Sequence, residues 1–234
     1  MKKSLLLSVI TIGLLFTSCR KSSNSSYSGG QPQVNYQLVA SNTNVPVMSN
    51  PAVLPAVTGN IVWTSGFANP DVVKFEATQN NIQVEFKSTN AAQIDLLSPV
   101  ALTFGAFTLP PGIYNEIELK IDLDKMGTTP VLQLNGSITS GTVTLPIVVQ
   151  VTQSVELQTE QHNVTITTDN SYLAVTTIDL SVITKGITAD MLLNAQLTAG
   201  SIVISATSNH DLYEMILDNL GHEHHHCEFE GHHH

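Results

Sequence analysis

The chain is poor in cysteine and in charged residues, and each shortage excludes a class of protein. Only two cysteines occur in 234 residues, so a scaffold held together by several disulfides is excluded. Charged residues make up 12% of the chain, and nineteen acidic residues outnumber nine basic ones. Because there is no cluster of lysine and arginine, we expect no nucleic-acid partner and no adhesion to an anionic membrane by charge alone.

Sequence motifs of catalysis are also scarce. The chain contains no Gly-x-Ser-x-Gly elbow, no phosphate-binding glycine-rich loop and no His-Glu-x-x-His. His162, the one histidine before the C-terminal region, has the context of a solvated surface residue. The carboxylate pairs Glu116/Glu118 and Asp122/Asp124 could bind Ca²⁺ or hydrolyse a glycoside, but a solvated acidic face is the commoner origin of such pairs. We therefore expect a protein that is not an enzyme and requires no cofactor.

The first nineteen residues have the order of charge and hydropathy that is typical of an export signal. Lys2 and Lys3 precede an apolar run, Leu5 to Phe16, which is too short to remain in a bilayer as a spanning helix. The stretch Leu15-Phe16-Thr17-Ser18-Cys19 resembles the lipobox of bacterial lipoproteins. The resemblance implies removal of residues 1–18 as a signal peptide, acylation of Cys19 with palmitate-type chains and a membrane anchor at that residue. An ordinary secretory signal with an incidental Cys19 is the alternative.

Residues 19–33 follow as a tether. They are rich in serine, asparagine and glycine and have no hydrophobic period, which is typical of a flexible linker. No aspartate follows Cys19, and Arg20 and Lys21 stand where surface-exported lipoproteins carry an acidic run. In the lipoproteins that this segment resembles, an aspartate after the cysteine and an acidic run act as sorting signals. Their absence here favours the bacterial cell envelope, with the lipid anchor in the outer membrane and the protein on its periplasmic face.

Residues 34–220 predict an all-β domain. The runs Ile82–Lys87 and Ile117–Leu123 alternate strictly between apolar and polar residues, as a half-buried strand does. Asn80-Asn81 before the first of these runs predicts a β-hairpin. Turn signals recur about every ten residues, a spacing typical of a sandwich or a barrel, and we expect a sandwich of about seven to nine strands. The predicted fold is an immunoglobulin-like or transthyretin-like β-sandwich with Trp63, the only tryptophan, in its core.

Two short helices are predicted near the C-terminus. Thr188 to Gln196 has the pattern of one helix, with Thr188 as the N-cap. His210 to Leu220 has the pattern of a second, because Leu212, Ile216 and Leu220 share one face. Asn209 is a candidate cap for this helix, and Gly221 is its candidate stop.

Five short segments resemble parts of one group of proteins. They are Ile61 to Ala68, Val73 to Glu76, Leu109-Pro-Pro-Gly-Ile-Tyr114, Ile178-Asp-Leu180, and Asn209 with Leu212-Tyr213. Together they resemble Bacteroidetes lipoproteins of uncharacterised β-sandwich families, and the Pro-Gly-x-Tyr piece is similar to the end of a carboxypeptidase-regulatory-like or transthyretin-like sandwich. The resemblance implies structural roles only. Pro-Pro-Gly would form a turn, and Tyr114 would pack at a corner of the sandwich.

The last segment, residues 221–234, carries seven of the nine histidines. Neutral imidazole is a good ligand for Zn²⁺, Ni²⁺ and Cu²⁺, and a cysteine adds a thiolate. The candidate metal ligands are His222, His224, His225, His226, Cys227, His232, His233 and His234. Their spacing is not that of a zinc finger, so we expect a loose chelator in a tail too polar to pack. The alternatives are a purification tag, which the intervening Cys-Glu-Phe-Glu and the retained signal peptide disfavour, and a solvated tail without a role.

The sequence as a whole favours a non-enzymatic, envelope-anchored binding lipoprotein whose tail binds a divalent transition metal. The rival hypothesis is an adhesion or structural lipoprotein that contacts a glycan or a protein through the loops of the sandwich. The expected partners are therefore a membrane, which the protein would contact through its lipid anchor, and a divalent metal ion.

Replacement of Cys19 by serine should abolish lipid attachment, because serine offers no thiol for the acyl chain. The measurement is incorporation of radiolabelled palmitate in cells, together with the distribution of the protein between membrane and soluble fractions. Labelling that survives in the C19S variant would show that the anchor is elsewhere or absent.

Overall fold

Fifteen strands and three helices make up the part of the chain that the computed structural model describes, namely residues 32–48, 58–80, 82–89, 92–98, 103–124, 127–168, 170–222 and 226–233. For residues 103, 104, 170, 222 and 226–233 only the backbone is described. The predicted signal peptide, the anchor Cys19 and the tether up to residue 31 lie outside the described residues.

The strands are, in chain order, β1 (Gln33–Ser41), β2 (Asn44–Val47), β3 (Gly59–Ala68), β4 (Val72–Gln79), β5 (Ile82–Thr89), β6 (Ile94–Asp95), β7 (Thr103–Thr108), β8 (Gly112–Leu123), β9 (Leu132–Ser140), β10 (Val143–Val151), β11 (Val155–Ile166), β12 (Asn170–Asp179), β13 (Leu197–Thr198), β14 (Ser201–Ser205) and β15 (His226–His233). The helices are α1 (Leu180–Ile183), α2 (Ala189–Leu193) and α3 (His210–His222). The predicted all-β class, with a short helix near the C-terminus, is confirmed.

The strands form three sheets. Sheet A has the order β15-β12-β1-β7, and its β1–β12 pair is parallel. Sheet C has the order β11-β8-β4-β5 and is antiparallel throughout. Sheet B has the order β13-β14-β10-β9-β3-β2, with β6 beside β3. The parallel pairs β1–β12 and β10–β14 join segments that are distant in sequence, so they cannot be read from hairpin signals.

Sheets A and C pack face to face through aromatic side chains. The ring centroid of Phe107, on sheet A, lies 3.9 Å from that of Phe75 and 5.0 Å from that of Phe86, both on sheet C. Tyr36 of sheet A lies 5.9 Å from Phe107. The inward faces are those that the alternation predicts, since Ile117, Leu119, Ile121 and Leu123 are all buried. These two sheets form the sandwich.

Sheet B continues from one end of the sandwich. Three connections, β3 to β4, β8 to β9 and β10 to β11, carry the chain between sheets B and C at that end. Backbone hydrogen bonds join them there: Asn69 donates to Val131 at 2.8 Å, and Val131 donates to Val151 at 2.7 Å. Helix α3 packs against β10, β14 and β11, so it bridges the junction of the two sheets.

The opposite end of the sandwich, which we call the tether end, contains the point at which the described chain begins. The backbone N–H of Leu109 donates to the carbonyl of Pro32 at 3.2 Å, beside the turn that leads from β7 into β8. Tyr114 closes that turn: it is fully buried, and its hydroxyl donates to the carbonyl of Pro110 at 2.7 Å. The predicted corner role of Tyr114 is therefore confirmed, as is the core position of Trp63, which is 3% exposed.

Several local predictions need correction. The described residues form fifteen strands where about seven to nine were predicted, because sheets A and C account for eight strands and sheet B adds seven that strand spacing alone does not reveal. Thr188 does cap α2, since its hydroxyl accepts from the backbone N–H of Met191. The side chain of Asn209, however, bonds to Gln196 and Val203 and not to α3, and α3 continues past Gly221 to His222.

Removal of the Tyr114 hydroxyl, in Y114F, should destabilise the fold by about 0.5–1.5 kcal/mol, because the hydrogen bond to Pro110 is lost while the ring remains. The measurement is the midpoint of urea unfolding. Y213F is the matched control: Tyr213 is equally buried, but its hydroxyl makes only a 3.4 Å contact, with the N–H of Thr152. An equal loss in the two variants would contradict a specific role for the corner.

Candidate functional site

The histidine-rich segment forms a strand, where the sequence predicted a loose tail. Strand β15 lies antiparallel to β12 at the edge of sheet A, and its register runs from His226 opposite Thr177 to His233 opposite Asn170. A polar sequence can occupy this place because an edge strand gains its stability from backbone hydrogen bonds on one side only. The expectation that residues 221–234 do not pack is therefore wrong for β15.

The register of β15 separates the candidate ligands into two groups. Cys227 lies opposite Thr176, and Phe229 lies opposite Ala174. The two β12 residues, Thr176 and Ala174, are fully buried. Residues paired across neighbouring strands share a face of the sheet, and successive residues alternate between faces. Positions 227, 229, 231 and 233 thus belong to the buried face, and positions 226, 228, 230 and 232 belong to the other.

The other candidate ligands are placed only in part. His222 is the last residue of α3, and three residues separate it from the start of β15. His224, His225 and His234 lie outside the described residues. Within the described side chains there is no group of three or more histidine, cysteine or acidic residues able to hold a metal ion. A metal site built from this segment would therefore depend on residues 222–234 themselves.

A row of four glutamates crosses the outer face of sheet C. Glu85, Glu76, Glu118 and Glu160 are paired in succession across β5, β4, β8 and β11. Like charges directly opposite one another destabilise a sheet, so this row needs nearby compensation. The carboxylate pair Glu116/Glu118 proposed from sequence is thus part of a larger pattern, and Glu118 is buried rather than solvated, with 9% of its surface exposed.

A row of lysines supplies the compensation. This row lies two residues along each strand from the glutamates and is paired across β5, β4 and β8. Its members are Lys87, Lys74 and Lys120. Lys120 Nζ lies 3.0 Å from a carboxylate oxygen of Glu118, whose other oxygen accepts a hydrogen bond from the Gln158 amide. The hydrogen bond to Glu118 raises the pKa of Lys120 above its ordinary value. Three lysines thus lie beside four glutamates, and the ion pair of Lys120 with Glu118 joins the two rows.

The second carboxylate pair proposed from sequence is also divided. Asp122 lies 3.0 Å from Lys74 Nζ, and this hydrogen bond raises the pKa of the lysine. Asp124 is exposed and lies beyond the end of β8. Because Asp122 is held by a lysine, the pair does not form an open carboxylate site for Ca²⁺ or for glycoside hydrolysis.

The two histidines outside the tail are surface residues. His162 Nε2 lies 3.6 Å from Glu160, and its side chain is 57% exposed. His210 Nε2 lies 3.6 Å from Glu214 on the first turns of α3, with a side chain 60% exposed. The expectation of a solvated His162 is therefore confirmed.

A cavity of about 290 Å³ opens between β5 and β7, and no pattern in the sequence indicates it. Its walls are the rings of Tyr36, Phe75, Phe86 and Phe107, with Lys87 among the polar lining. Gly105 lines the cavity through its backbone. A larger residue would not fit there, because its Cβ atom would collide with the ring of Tyr36. Its volume is at the lower end for small-molecule sites, and it exists only because two separate sheets bring their aromatic residues together.

No helix among the described residues is both long and apolar enough to cross a membrane. Comparison of the chain with protein-family models, with curated proteins and with solved structures finds no match to any of them.

Proposed function

We propose that this protein is a non-enzymatic lipoprotein of the bacterial cell envelope, anchored through Cys19, whose histidine-rich C-terminal segment binds a divalent transition metal. The anchor would lie in the outer membrane, with the protein on the periplasmic face. Zn²⁺, Ni²⁺ and Cu²⁺ are the candidate ions, because imidazole and thiolate are ligands that they prefer. The observation that carries the proposal is the concentration of seven histidines and Cys227 within residues 221–234.

The strand geometry of β15 refines the expected ligand set. While β15 stays paired with β12, ligands to one ion must come from one face, so positions 226, 228, 230 and 232 form one possible set. Their partners Thr177, Val175, Leu173 and Ser171 on β12 offer no imidazole, thiolate or carboxylate. The ion would therefore be held by the C-terminal segment alone, with histidine and glutamate together on that face.

The rival function is an adhesion or structural lipoprotein that binds a glycan or a protein. Two features support it: the paired glutamate and lysine rows on sheet C, which form a charged surface, and the aromatic cavity between β5 and β7. Neither feature involves the tail, so substitutions in the tail separate the two functions.

Substitution of the tail histidines by glutamine and of Cys227 by serine should abolish binding of Zn²⁺, Ni²⁺ and Cu²⁺. Substitution is preferable to deletion, because deletion of residues 221–234 would uncover the edge of β12. The measurement is isothermal titration of the purified chain with each metal. Two partial variants, one altered at residues 222–226 and one at residues 232–234, would show which cluster supplies the ligands.

The matched control replaces His162 and His210, the two exposed histidines outside the tail, by glutamine. Metal affinity should be unchanged in this control. Full affinity in the tail variant would place the site in the body of the protein. Absence of binding at micromolar metal in the unaltered chain would favour the adhesion or structural function.

The affinity should also fall with pH, because an imidazole ordinarily gains a proton near pH 6.5 and a protonated imidazole cannot bind metal. Between about pH 7.5 and 5.5 the loss should approach tenfold for each histidine that binds the ion. Binding that is indifferent to pH over this range would exclude imidazole ligands.

A further inference from the structure

Two isoleucines at the tether end expose most of their surface. Ile82 is 67% exposed and Ile113 is 64% exposed, and of the described large hydrophobic residues only Met48 is more exposed. Ile82 begins β5 and pairs with Gln79, whose side-chain amide lies directly against the backbone of Gly112. Gln79 on β4 thus lies between the start of β5 and the start of β8. Single exposed hydrophobic residues are ordinary, but Ile82 and Ile113 are both exposed at the same end of the sandwich.

The chain that precedes the described residues reaches the body at this same end. Pro32 accepts a hydrogen bond from Leu109, and Gln33 pairs with Thr108 at the end of β7. Strand β8 begins three residues after Leu109, at Gly112, and Ile113 is its second residue. The point of attachment and the exposed isoleucines thus occupy one end of the molecule, opposite the junction with sheet B.

The turns at the tether end carry little charge, although the protein as a whole is acidic. The described hairpin and turn segments there, residues 79–80, 82–83, 108–115 and 163–168, contain no lysine, arginine, aspartate or glutamate. Asp169, between the last of these and β12, is the one acidic residue in the sequence of these turns. The glutamate and lysine rows lie further along sheet C. Uncharged turns can approach a lipid headgroup layer without the desolvation cost that carboxylates carry.

We infer that the tether end is a membrane-contacting surface, on which Ile82 and Ile113 insert into the interfacial region of the bilayer and hold the sandwich upright. The partner is the lipid surface to which Cys19 is anchored, so the inference rests on the anchor of the proposed function. The remote end of sheet B, with the β9–β10 hairpin at Ser140 and Val143, then points away from the membrane.

The length of the intervening chain makes a weak contact sufficient. Twelve residues, 20–31, separate Cys19 from Pro32, and twelve residues cannot span more than roughly 43 Å in any conformation. A surface held that close to its partner experiences an effective concentration of about a millimolar. Two isoleucines that would not bind a vesicle from solution can therefore remain in contact when the chain is anchored.

The test uses the acylated full chain in vesicles of phosphatidylethanolamine with a minority of phosphatidylglycerol, in a C227S background. An environment-sensitive fluorophore is attached to one introduced cysteine at a time: I82C and I113C at the tether end, V143C and L197C as controls. The control residues are also exposed, at 47% each, and lie in the remote part of sheet B. Nitroxide-labelled lipid should quench the labels at 82 and 113 severalfold more strongly than those at 143 and 197.

A charge variant gives a second, independent measurement. I82D should lower the quenching of a label at 113, since a carboxylate opposes insertion, whereas V143D should leave it unchanged. Quenching that is equal at all four positions, or insensitive to I82D, would overturn the membrane contact. Palmitate incorporation at Cys19 is measured on the same samples: if it occurs without selective quenching, the contact fails and the anchor stands, and if it does not occur, the anchor and the contact both fail.

Discussion

The pairing of β1 with β12 and β7 is the interaction on which the arrangement of the molecule depends. It joins residues 33–41 to residues 170–179 in parallel and to residues 103–108 in antiparallel orientation, so both edges of β1 are paired. Val34, Tyr36 and Leu38 place their side chains in the core between sheets A and C. Because β1 is central, its first residue fixes the end at which the preceding chain arrives. Its last residue fixes the passage to sheet B through β2.

The sequence predicts the elements of this fold better than their arrangement. Strict alternation identifies β5 and the second half of β8, and chemistry at single positions identifies the Tyr114 corner and the Thr188 cap. Register is different, since it depends on which strands meet. The four aligned glutamates come from four strands, and no window of sequence shows that they form one row. The aromatic cavity escapes prediction for the same reason, because its walls come from two sheets.

Strand β15 shows where composition misleads. Its histidines and glutamates indicate a segment with too little apolar surface to pack, and by burial alone that reasoning is sound. An edge position changes the balance, because backbone hydrogen bonds to β12 form whatever the side chains are. The strand also covers an edge of sheet A that would otherwise offer unpaired backbone groups to another chain. A polar, charged sequence suits an outermost strand for that second reason, since it discourages further pairing.

This placement joins the two proposed properties of the protein. Gly231, Tyr172 and Val34 lie in one row across sheet A, so the last residues of β15 reach the tether end, where the chain from Cys19 arrives. An ion held by positions on the outer face of β15 would leave the pairing with β12 intact. An ion that draws on Cys227 together with its neighbours would need both faces, so the strand would have to leave β12. The affinity of the segment for that ion would then be reduced by the free energy of docking β15 against β12, because metal binding and docking compete for the same residues. The proposed metal binding is therefore favoured through one face of a docked strand over a loose coil of all eight ligands.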